Sequence, residues 1–270
     1  KKILKLPQMI SVVIPTYNSE EIIKALCDQI QKYITQNDEI VIINDFSSDN
    51  TSKQLDLIEK LYPNIKVINL SVNIGQVGAT LLGIKLARGT KIVTMDDDFQ
   101  HDPKFIPTLV NELENSNSSA VVAKWDLDET FSRNYGSLLF TQISSFVIFK
   151  NSNFRNTAFR IINNEMKEDF VKFFISRFWI DPRRLKYKVH QINVDHNPQN
   201  FRPYSSLKSR MLLASKHLIF DSYLVQVIFI LFFFKNFSIL LILLTLFSIF
   251  QFLIRKYVGK KRSIIYQLFD

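Results

Sequence analysis

The sequence of 270 residues contains little cysteine and little glycine. Its single cysteine, Cys27, excludes an internal disulfide and any metal cluster built from several cysteines. The six glycines form neither a Gly-x-x-x-x-Gly-Lys loop nor a Gly-x-Gly-x-x-Gly turn, so P-loop and dinucleotide-binding folds lose support. No secretory signal is visible either. The opening residues KKILKLPQMISVVIP are basic, but their apolar run is short and contains Pro7, and we interpret them as the approach to a first strand.

Positive charge and phenylalanine, by contrast, are abundant. The formal net charge is +9, the pI is near 9.5 and 24 residues are phenylalanine. Such a balance indicates an anionic partner, which could be nucleic acid, nucleotide phosphates or a membrane surface. Because basic residues flank the apolar C-terminal part of the chain, a membrane explains the charge more simply, and we expect no nucleic-acid partner.

The most hydrophobic part of the chain follows His217. It predicts two transmembrane helices, over about 222–234 and 237–254, separated by a turn at Lys235-Asn236. The alternative is a buried helical hairpin, which we favour less because nothing else in the chain is large enough to cover both helices. By the positive-inside rule, a basic tail predicts that both ends of the hairpin are cytoplasmic. The tail carries Arg255, Lys256, Lys260, Lys261 and Arg262.

Three regions follow from this reading. We predict a cytoplasmic catalytic domain over 1–204, an interfacial amphipathic helix over 205–218, and the two spans with their basic tail over 219–270. The interfacial helix is inferred from basic residues interleaved with leucine and methionine in SSLKSRMLLASKHLIF.

Up to about residue 125, short apolar runs alternate with amphipathic stretches. Alternation at this spacing predicts βαβ units, and therefore an α/β fold with a mainly parallel sheet covered on both faces. The predicted strands are 10–17, 39–45, 66–70, 91–96 and 120–125, and the predicted helices lie near 20–36, 51–61, 76–88 and 103–115. A further helix is predicted from about Ser132, another over NEMKEDFVKFFISRF, and a last strand over YKVHQINVDHNP.

Polar residues follow four of these predicted runs. Ligands of parallel sheets bind beyond the carboxyl ends of the strands, so these residues are candidates for a site. They are Thr16-Tyr17-Asn18, Asn44-Asp45, Asn73-Ile74-Gly75 and Asp96-Asp97-Asp98.

The acidic segment MDDDFQHDP gives the sharpest signal. In an extended chain, residues two apart point the same way, which groups Asp96, Asp98 and Gln100 and leaves Asp97 on the other side. Two carboxylates and an amide oxygen suit Mg²⁺ or Mn²⁺, and magnesium usually keeps positions open for substrate phosphates. A solvated acidic loop is the alternative. We interpret Asp45 as an acceptor for a base or ribose, and most of the small residues in the 76–88 helix as packing against the sheet.

Four segments, taken together, resemble the family 2 glycosyltransferases of GT-A fold. They are PTYN, INDFSSDNT, NIGQVGATLLGIKLARGT and MDDDFQHDP, and they span about residues 10–103 in the order typical of the family. The D-x-D-x-Q form and the C-terminal spans are most similar to the polyprenyl-phosphate branch, which includes dolichyl-phosphate mannose synthases and bactoprenyl glucosyltransferases. One departure is Phe46, which stands where the family usually has glycine.

The resemblance implies roles for individual residues. It implies metal binding by Asp96, Asp98 and Gln100, and a role for Arg160 near the donor sugar or phosphates. The nucleotide set comprises Pro15, Tyr17, Glu21, Asp45 and Asp97, to which we add Asn73 and Gln76. The acceptor-phosphate set, in VDHNPQNFRPYSSLK, comprises His196, Arg202, Tyr204, Ser205 and Lys208, and Arg202 also joins Asp96, Asp98 and Arg160 as a predicted catalytic residue.

These roles predict a metal-dependent enzyme that moves a sugar, with inversion, from a nucleotide diphosphate to a polyprenyl phosphate at the cytoplasmic membrane face. A transferase that extends a lipid-linked glycan is the alternative enzyme, and a catalytically inactive membrane scaffold is the alternative outside enzymes. Processive synthases are disfavoured, because the sequence has no Gln-x-x-Arg-Trp motif. The oligomeric state is left open, a homo-oligomer included.

Overall fold

A computed structural model describes residues 9–124, 154, 156–175, 180–195 and 267. Contacts divide the chain into two units, residues 1–172 with 181–201, and residues 173–180 with 202–270. The fold given below is that of the first unit.

Seven strands and five α-helices make up the described fold. The strands are β1 (Ile10–Thr16), β2 (Glu39–Asn44), β3 (Ile65–Asn69), β4 (Lys91–Thr94), β5 (Ala120–Lys124), β6 (Arg160–Asn163) and β7 (Val189–Asn193). The helices are α1 (Ile23–Ile30), α2 (Thr51–Leu61), α3 (Gln76–Leu86), α4 (Ile106–Asn115) and α5 (Asn164–Phe174). Short 3-10 turns occur at Pro103–Phe105 and Pro182–Arg184.

All seven strands form one sheet in the order β3-β2-β1-β4-β6-β5-β7. The pairs β1–β2, β1–β4, β2–β3 and β5–β7 are parallel, whereas β6 runs antiparallel to both β4 and β5. The sheet is therefore mainly parallel, as predicted. The exception is β6, which sequence reasoning treated only as part of a motif. The apolar residues Phe159, Ile161 and Ile162 were the available signal for a strand, but Arg160 interrupts them.

The central strands are buried on both faces. Every residue of β2 and β4 is buried, and only the first residue of β1 is partly exposed. This explains why the strands form continuous apolar runs rather than alternating patterns. The five strands predicted before residue 125 are confirmed within two residues at each end.

Helix α3 packs unusually close to the sheet. A Cβ atom built on Gly83 would lie 2.3 Å from Cγ1 of Val13 in β1, so only glycine fits at this contact. Gly75, just before the helix, has φ 88°, a left-handed conformation that L side chains rarely adopt. The interpretation of the small residues in this helix as packing residues therefore holds at Gly83.

The predicted features of the C-terminal region lie outside the described residues. They are the interfacial helix at 205–218, the spans at 222–234 and 237–254, and the basic tail. Among the residues that the structure does describe, no helix combines the length and the apolar character needed to cross a bilayer. The helix predicted from about Ser132 also falls outside them.

Candidate functional site

The carboxyl ends of β1, β2 and β4 lie side by side in the sheet, because these three strands are parallel neighbours. We call this region the carboxyl edge. Tyr17 follows β1, Asp45 follows β2, and Asp96 lies two residues beyond β4. The topology thus brings three of the predicted segments together. The fourth, Asn73–Gly75, does not end a strand, since β3 stops at Asn69. It reaches the edge in another way, through Asp45.

Asp45 holds the loop before α3 against the carboxyl edge. Its Oδ1 accepts a hydrogen bond from the backbone N–H of Ile74 at 2.7 Å, and its Oδ2 accepts one from that of Gly75 at 2.8 Å. Nδ2 of Asn73 donates to the Asp45 carbonyl oxygen at 3.0 Å. Asp45 is buried. Its carboxylate therefore has a structural task, and its predicted contact with the nucleotide stays a prediction.

The acidic segment after β4 is bent rather than extended. β4 ends at Thr94, residues 97–101 form a bend, and Phe99 has φ 59°. The alternation of an extended strand, used above to group Asp96, Asp98 and Gln100, therefore does not apply here. The proximity of Gln100 to Asp98 has another cause, because its backbone N–H donates to Oδ1 of Asp98 at 3.1 Å.

Asp97 is bound to the end of β1. Its Oδ2 accepts hydrogen bonds from Oγ1 of Thr16 at 2.6 Å and from Oγ of Ser19 at 2.5 Å. Asp97 is buried, so these two hydroxyls compensate part of its lost hydration. The prediction separated Asp97 from its two neighbours as a nucleotide contact; the structure shows its hydrogen bonds to Thr16 and Ser19, and its contact with the nucleotide stays a prediction. Neither Thr16 nor Ser19 was predicted as its partner, since nothing in their spacing marks them.

Asp96 and Asp98 lie in an unfavourable electrostatic environment. Burial, with the nearby charges of Asp98 and Asp97, raises the pKa of Asp96 to about 7, although Nε2 of Gln76 donates to its Oδ1 at 2.5 Å. Burial also raises the pKa of Asp98, against the opposing hydrogen bond from Gln100. Gln76, the first residue of α3, therefore contacts an acidic residue directly, which the sequence did not indicate.

Arg160 is the buried cation near this segment. It begins β6 and pairs in register with Thr94, the last residue of β4. Burial lowers the pKa of Arg160 to about 10, while the charges of Asp181 and Asp96 favour its protonated form. Arg160 is therefore positively charged at neutral pH. The structure thus places it near the acidic segment, and Asp181 is a neighbour that sequence reasoning missed.

Three other predicted residues lie around the end of β1. Pro15 is buried in the strand, in register with Ile43 of β2. Tyr17 is 39% exposed just beyond the strand. Glu21 is exposed before α1. The predicted acceptor residues His196, Arg202, Tyr204, Ser205 and Lys208 lie outside the described residues.

The predicted donor types, two carboxylates and an amide oxygen, are those that suit a hard divalent cation. Asp96 and Asp98 are two carboxylates with raised pKa values, and a cation between carboxylates relieves both their repulsion and their poor hydration. Within the described ranges, no group of three or more His, Cys, Asp or Glu side chains is arranged to hold a metal. The predicted set, with two carboxylates and one amide, is smaller than such a group.

Comparison with known proteins supports the resemblance. Residues 11–181 match the family model "Glycosyl transferase family 2". A dolichol-phosphate mannosyltransferase of Pyrococcus furiosus is 35% identical over 117 residues, which cover 43% of this chain and 33% of the relative. An undecaprenyl-phosphate 4-deoxy-4-formamido-L-arabinose transferase of Proteus mirabilis is 37% identical over 105 residues, covering 37% and 32%. The chain thus spans about a third of the length of these curated relatives.

Solved structures match a larger share of this chain than the curated relatives do. A glucosyl-3-phosphoglycerate synthase of Mycobacterium tuberculosis has a TM-score of 0.56 at 17% identity, covering 77% of each chain. The same enzyme in complex with Mn²⁺, UDP-glucose and phosphoglyceric acid has a TM-score of 0.54. At this identity the likeness concerns the fold alone. The predicted α/β fold of GT-A type is confirmed, and so is the predicted likeness to polyprenyl-phosphate glycosyltransferases. The match over 11–181 shows that the chain belongs to glycosyl transferase family 2.

Proposed function

We propose that this protein transfers one sugar, with inversion and with a divalent metal, from a nucleotide diphosphate sugar to a polyprenyl phosphate, undecaprenyl or dolichyl. The reaction would take place at the cytoplasmic membrane face, with two C-terminal spans as anchor. One observation carries the proposal. Two carboxylates with raised pKa values, Asp96 and Asp98, lie at the carboxyl edge of a parallel sheet with the buried cation Arg160 nearby.

Asp96 and Asp98, with Gln100, would hold Mg²⁺ or Mn²⁺. When bound, the metal supplies Lewis-acid neutralisation of the leaving diphosphate. The support from outside the chain is the Mn²⁺ and UDP-glucose in the M. tuberculosis enzyme of similar fold. Gln76 would orient Asp96 through its hydrogen bond, and Asp97, whose Oδ2 accepts from two hydroxyls, would stay outside the metal set.

The other donor contacts come from the loops of the same edge. Arg160 is buried and charged, so it would stabilise the negative charge that develops as the bond to the sugar breaks. Asp45 fixes the loop at Ile74 and Gly75, next to the place where the nucleotide would lie. Tyr17, Pro15, Glu21 and Asn73 would complete the nucleotide contacts.

The acceptor is proposed from the names of two relatives, which act with dolichol phosphate and undecaprenyl phosphate. A lipid phosphate is already an anion at neutral pH, so it needs little help from a general base. Rate enhancement would then come mostly from positioning and charge stabilisation. The basic residues at 202–208, with His196, would draw this phosphate to the site.

A transferase that extends a lipid-linked glycan would share the donor site and differ only in its acceptor loop. A catalytically inactive scaffold would not need Asp96 and Asp98, whose raised pKa values mean that their charged forms cost stability. The acidic segment therefore favours an enzyme.

The test uses the full chain in detergent. A panel of nucleotide sugars is incubated with undecaprenyl or dolichyl phosphate, or with a lipid-linked glycan, with Mn²⁺ or with EDTA. We expect a lipid-linked monosaccharide from one donor only when Mn²⁺ is present. Product from the glycan acceptor alone would instead support the transferase that extends a lipid-linked glycan. No product from any pair, with no nucleotide-sugar binding, would support the scaffold.

A further inference from the structure

Phe46 combines two features that each oppose folding. Its side chain is 55% exposed, and its backbone has φ 62°, in the left-handed region that a bulky L residue adopts only with strain. An exposed aromatic ring gives up the free energy of burial as well. Strain of this kind persists where the surrounding structure imposes it, and it is often found at ligand sites.

The surrounding structure does impose it. The Phe46 N–H donates to the carbonyl oxygen of Asn44 at 2.9 Å, and the Asp45 N–H donates to that of Thr16 at 2.9 Å. The Asp45 carboxylate is itself held by two backbone N–H groups, those of Ile74 and Gly75. Phe46 therefore presents its ring from a fixed backbone, which lowers the entropy lost when a ligand binds to it.

Phe46 also has an aromatic neighbour along the carboxyl edge. Thr16 and Asn44 are paired in register, so Tyr17 and Phe46 follow the ends of adjacent strands. Tyr17 is 39% exposed. The other large apolar side chains exposed in the described part of the chain, Tyr33, Leu57 and Leu61, lie in or just after α1 and α2, away from the strand ends.

We infer that Phe46 is a further binding residue, which raises nucleotide affinity by stacking on the base of the donor nucleotide. This inference rests on the proposed function. Every nucleobase has an aromatic face, and stacking on a protein ring contributes substantially to affinity without reading hydrogen bonds. Glycine would adopt the same backbone conformation without strain. The aromatic ring is therefore the property that phenylalanine adds at this position.

Three variants separate the ring from the backbone. Phe46→Ala removes the ring but keeps a strained backbone, Phe46→Gly removes both, and Phe46→Trp keeps an aromatic face. Asn117→Gly is the matched control. Asn117 is exposed, has φ 47°, and precedes β5 at the opposite edge of the sheet, so its replacement relieves a similar backbone far from the site.

Calorimetry on the full chain in detergent with Mn²⁺ would measure the affinity for UDP, GDP, CDP and ADP, and for inorganic pyrophosphate, which has no base. For the nucleotide that binds tightest, we expect Phe46→Ala and Phe46→Gly to weaken binding by about tenfold, or about 1.4 kcal/mol. Phe46→Trp and Asn117→Gly should keep it within about twofold. Pyrophosphate affinity should not change in any variant, and Phe46→Gly should unfold at the same temperature as the parent or higher.

Unchanged nucleotide affinity in Phe46→Ala would overturn the inference and leave the proposed function intact. An equal loss for pyrophosphate would also overturn it, because the effect would then lie in the loop and not in the base. If the parent protein binds pyrophosphate but none of the nucleotides, the proposed function fails together with the inference.

Discussion

Glu39 at one edge of the sheet is a buried carboxylate and Asp96 at the other is a partly buried one, and their pKa values move in opposite directions. Glu39 begins β2, at what we call the amino edge, where its side chain is 2% exposed. Burial by itself would raise the pKa of Glu39, but hydrogen bonds from Ser11 and Arg88 outweigh burial and lower it. At the carboxyl edge, burial and neighbouring carboxylates raise the pKa of Asp96 to about 7.

The difference lies in the partners. Oε1 of Glu39 accepts from Oγ of Ser11 at 2.6 Å and from the backbone N–H of Arg88 at 2.5 Å, and its Oε2 accepts from Nε of Arg88 at 2.9 Å. Asp96 has the amide of Gln76 and the more distant charge of Arg160 to set against Asp97 and Asp98. At the amino edge, the hydrogen bonds of Glu39 stabilise the fold. At the carboxyl edge, the negative charge of the acidic segment is not fully compensated, which is typical of a site that binds a ligand.

Asp97 shows that the environment of a carboxylate does not depend only on the edge at which it lies. It lies between Asp96 and Asp98, but the hydroxyls of Thr16 and Ser19 bind its Oδ2 as Ser11 binds Glu39. Asp97 therefore lies at the carboxyl edge but resembles Glu39, because nearby hydroxyl groups satisfy its carboxylate. Its hydrogen bonds hold the acidic segment against β1.

The largest effect is expected for Asp98→Asn. Loss of one carboxylate ligand should lower the transfer rate by about a thousandfold, since metal neutralisation contributes several kcal/mol to the transition state. In EDTA, the same variant should unfold at the parent temperature or higher, because a buried charge has been removed. Transfer assays and thermal unfolding in detergent measure the two quantities.

The control for Asp98→Asn is Asp102→Asn in the same loop. Asp102 caps a 3-10 turn by accepting from the N–H of Lys104 at 2.9 Å, and asparagine can keep that bond. Its activity should stay within about twofold of the parent. If Asp98→Asn instead lost stability in EDTA and kept its activity, Asp98 would have a structural role like that of Glu39 and not the proposed role in transfer.

Glu39→Gln should show the opposite pattern. Its amide nitrogen would face a donor of Arg88, and the charge-assisted hydrogen bonds would be lost, so we expect about 2 kcal/mol less stability at neutral pH. Nucleotide affinity should not change, because Glu39 lies at the far end of β2 from Asp45. Denaturant unfolding and calorimetry measure the two quantities.

The control is Asp56→Asn, at an exposed position on α2, which should change stability by less than about 0.5 kcal/mol. Equal losses in the two variants would mean that the Glu39 network adds nothing.

The sequence predicted the parallel core well, because β1, β2 and β4 are buried, largely apolar runs and because α1, α2 and α4 have a clear amphipathic period. It did not predict β6, a four-residue strand with a buried arginine at its first position, since an arginine in a short run reads as a loop. The parallel order then implied that Asp45 and the acidic segment lie at one edge. The structure agrees with that inference.

Side-chain partners were not predictable in the same way. The hydrogen bonds of Thr16 and Ser19 to Asp97, about eighty residues away along the chain, depend on how β1 and β4 align. The period-two argument assumed that an extended segment continued through Gln100, whereas the chain bends from Asp97 onward. No propensity marks that bend, because Phe99 at φ 59° is a conformation that sequence rules disfavour for phenylalanine.

An effect no larger than that loss of stability is expected in the acid dependence of Glu39→Gln. The folded-state pKa of Glu39 lies below its ordinary value of 4.5, so the stability it contributes is present above that value and is lost as the pH falls through the folded pKa. The parent and Glu39→Gln curves of unfolding free energy against pH should therefore run parallel from about pH 7 to 5.5 and converge below about pH 4.5. Asp56→Asn should show no such convergence. A gap between parent and Glu39→Gln that stayed constant down to about pH 3 would assign the Glu39 contribution to packing and neutral hydrogen bonds, and not to its charge.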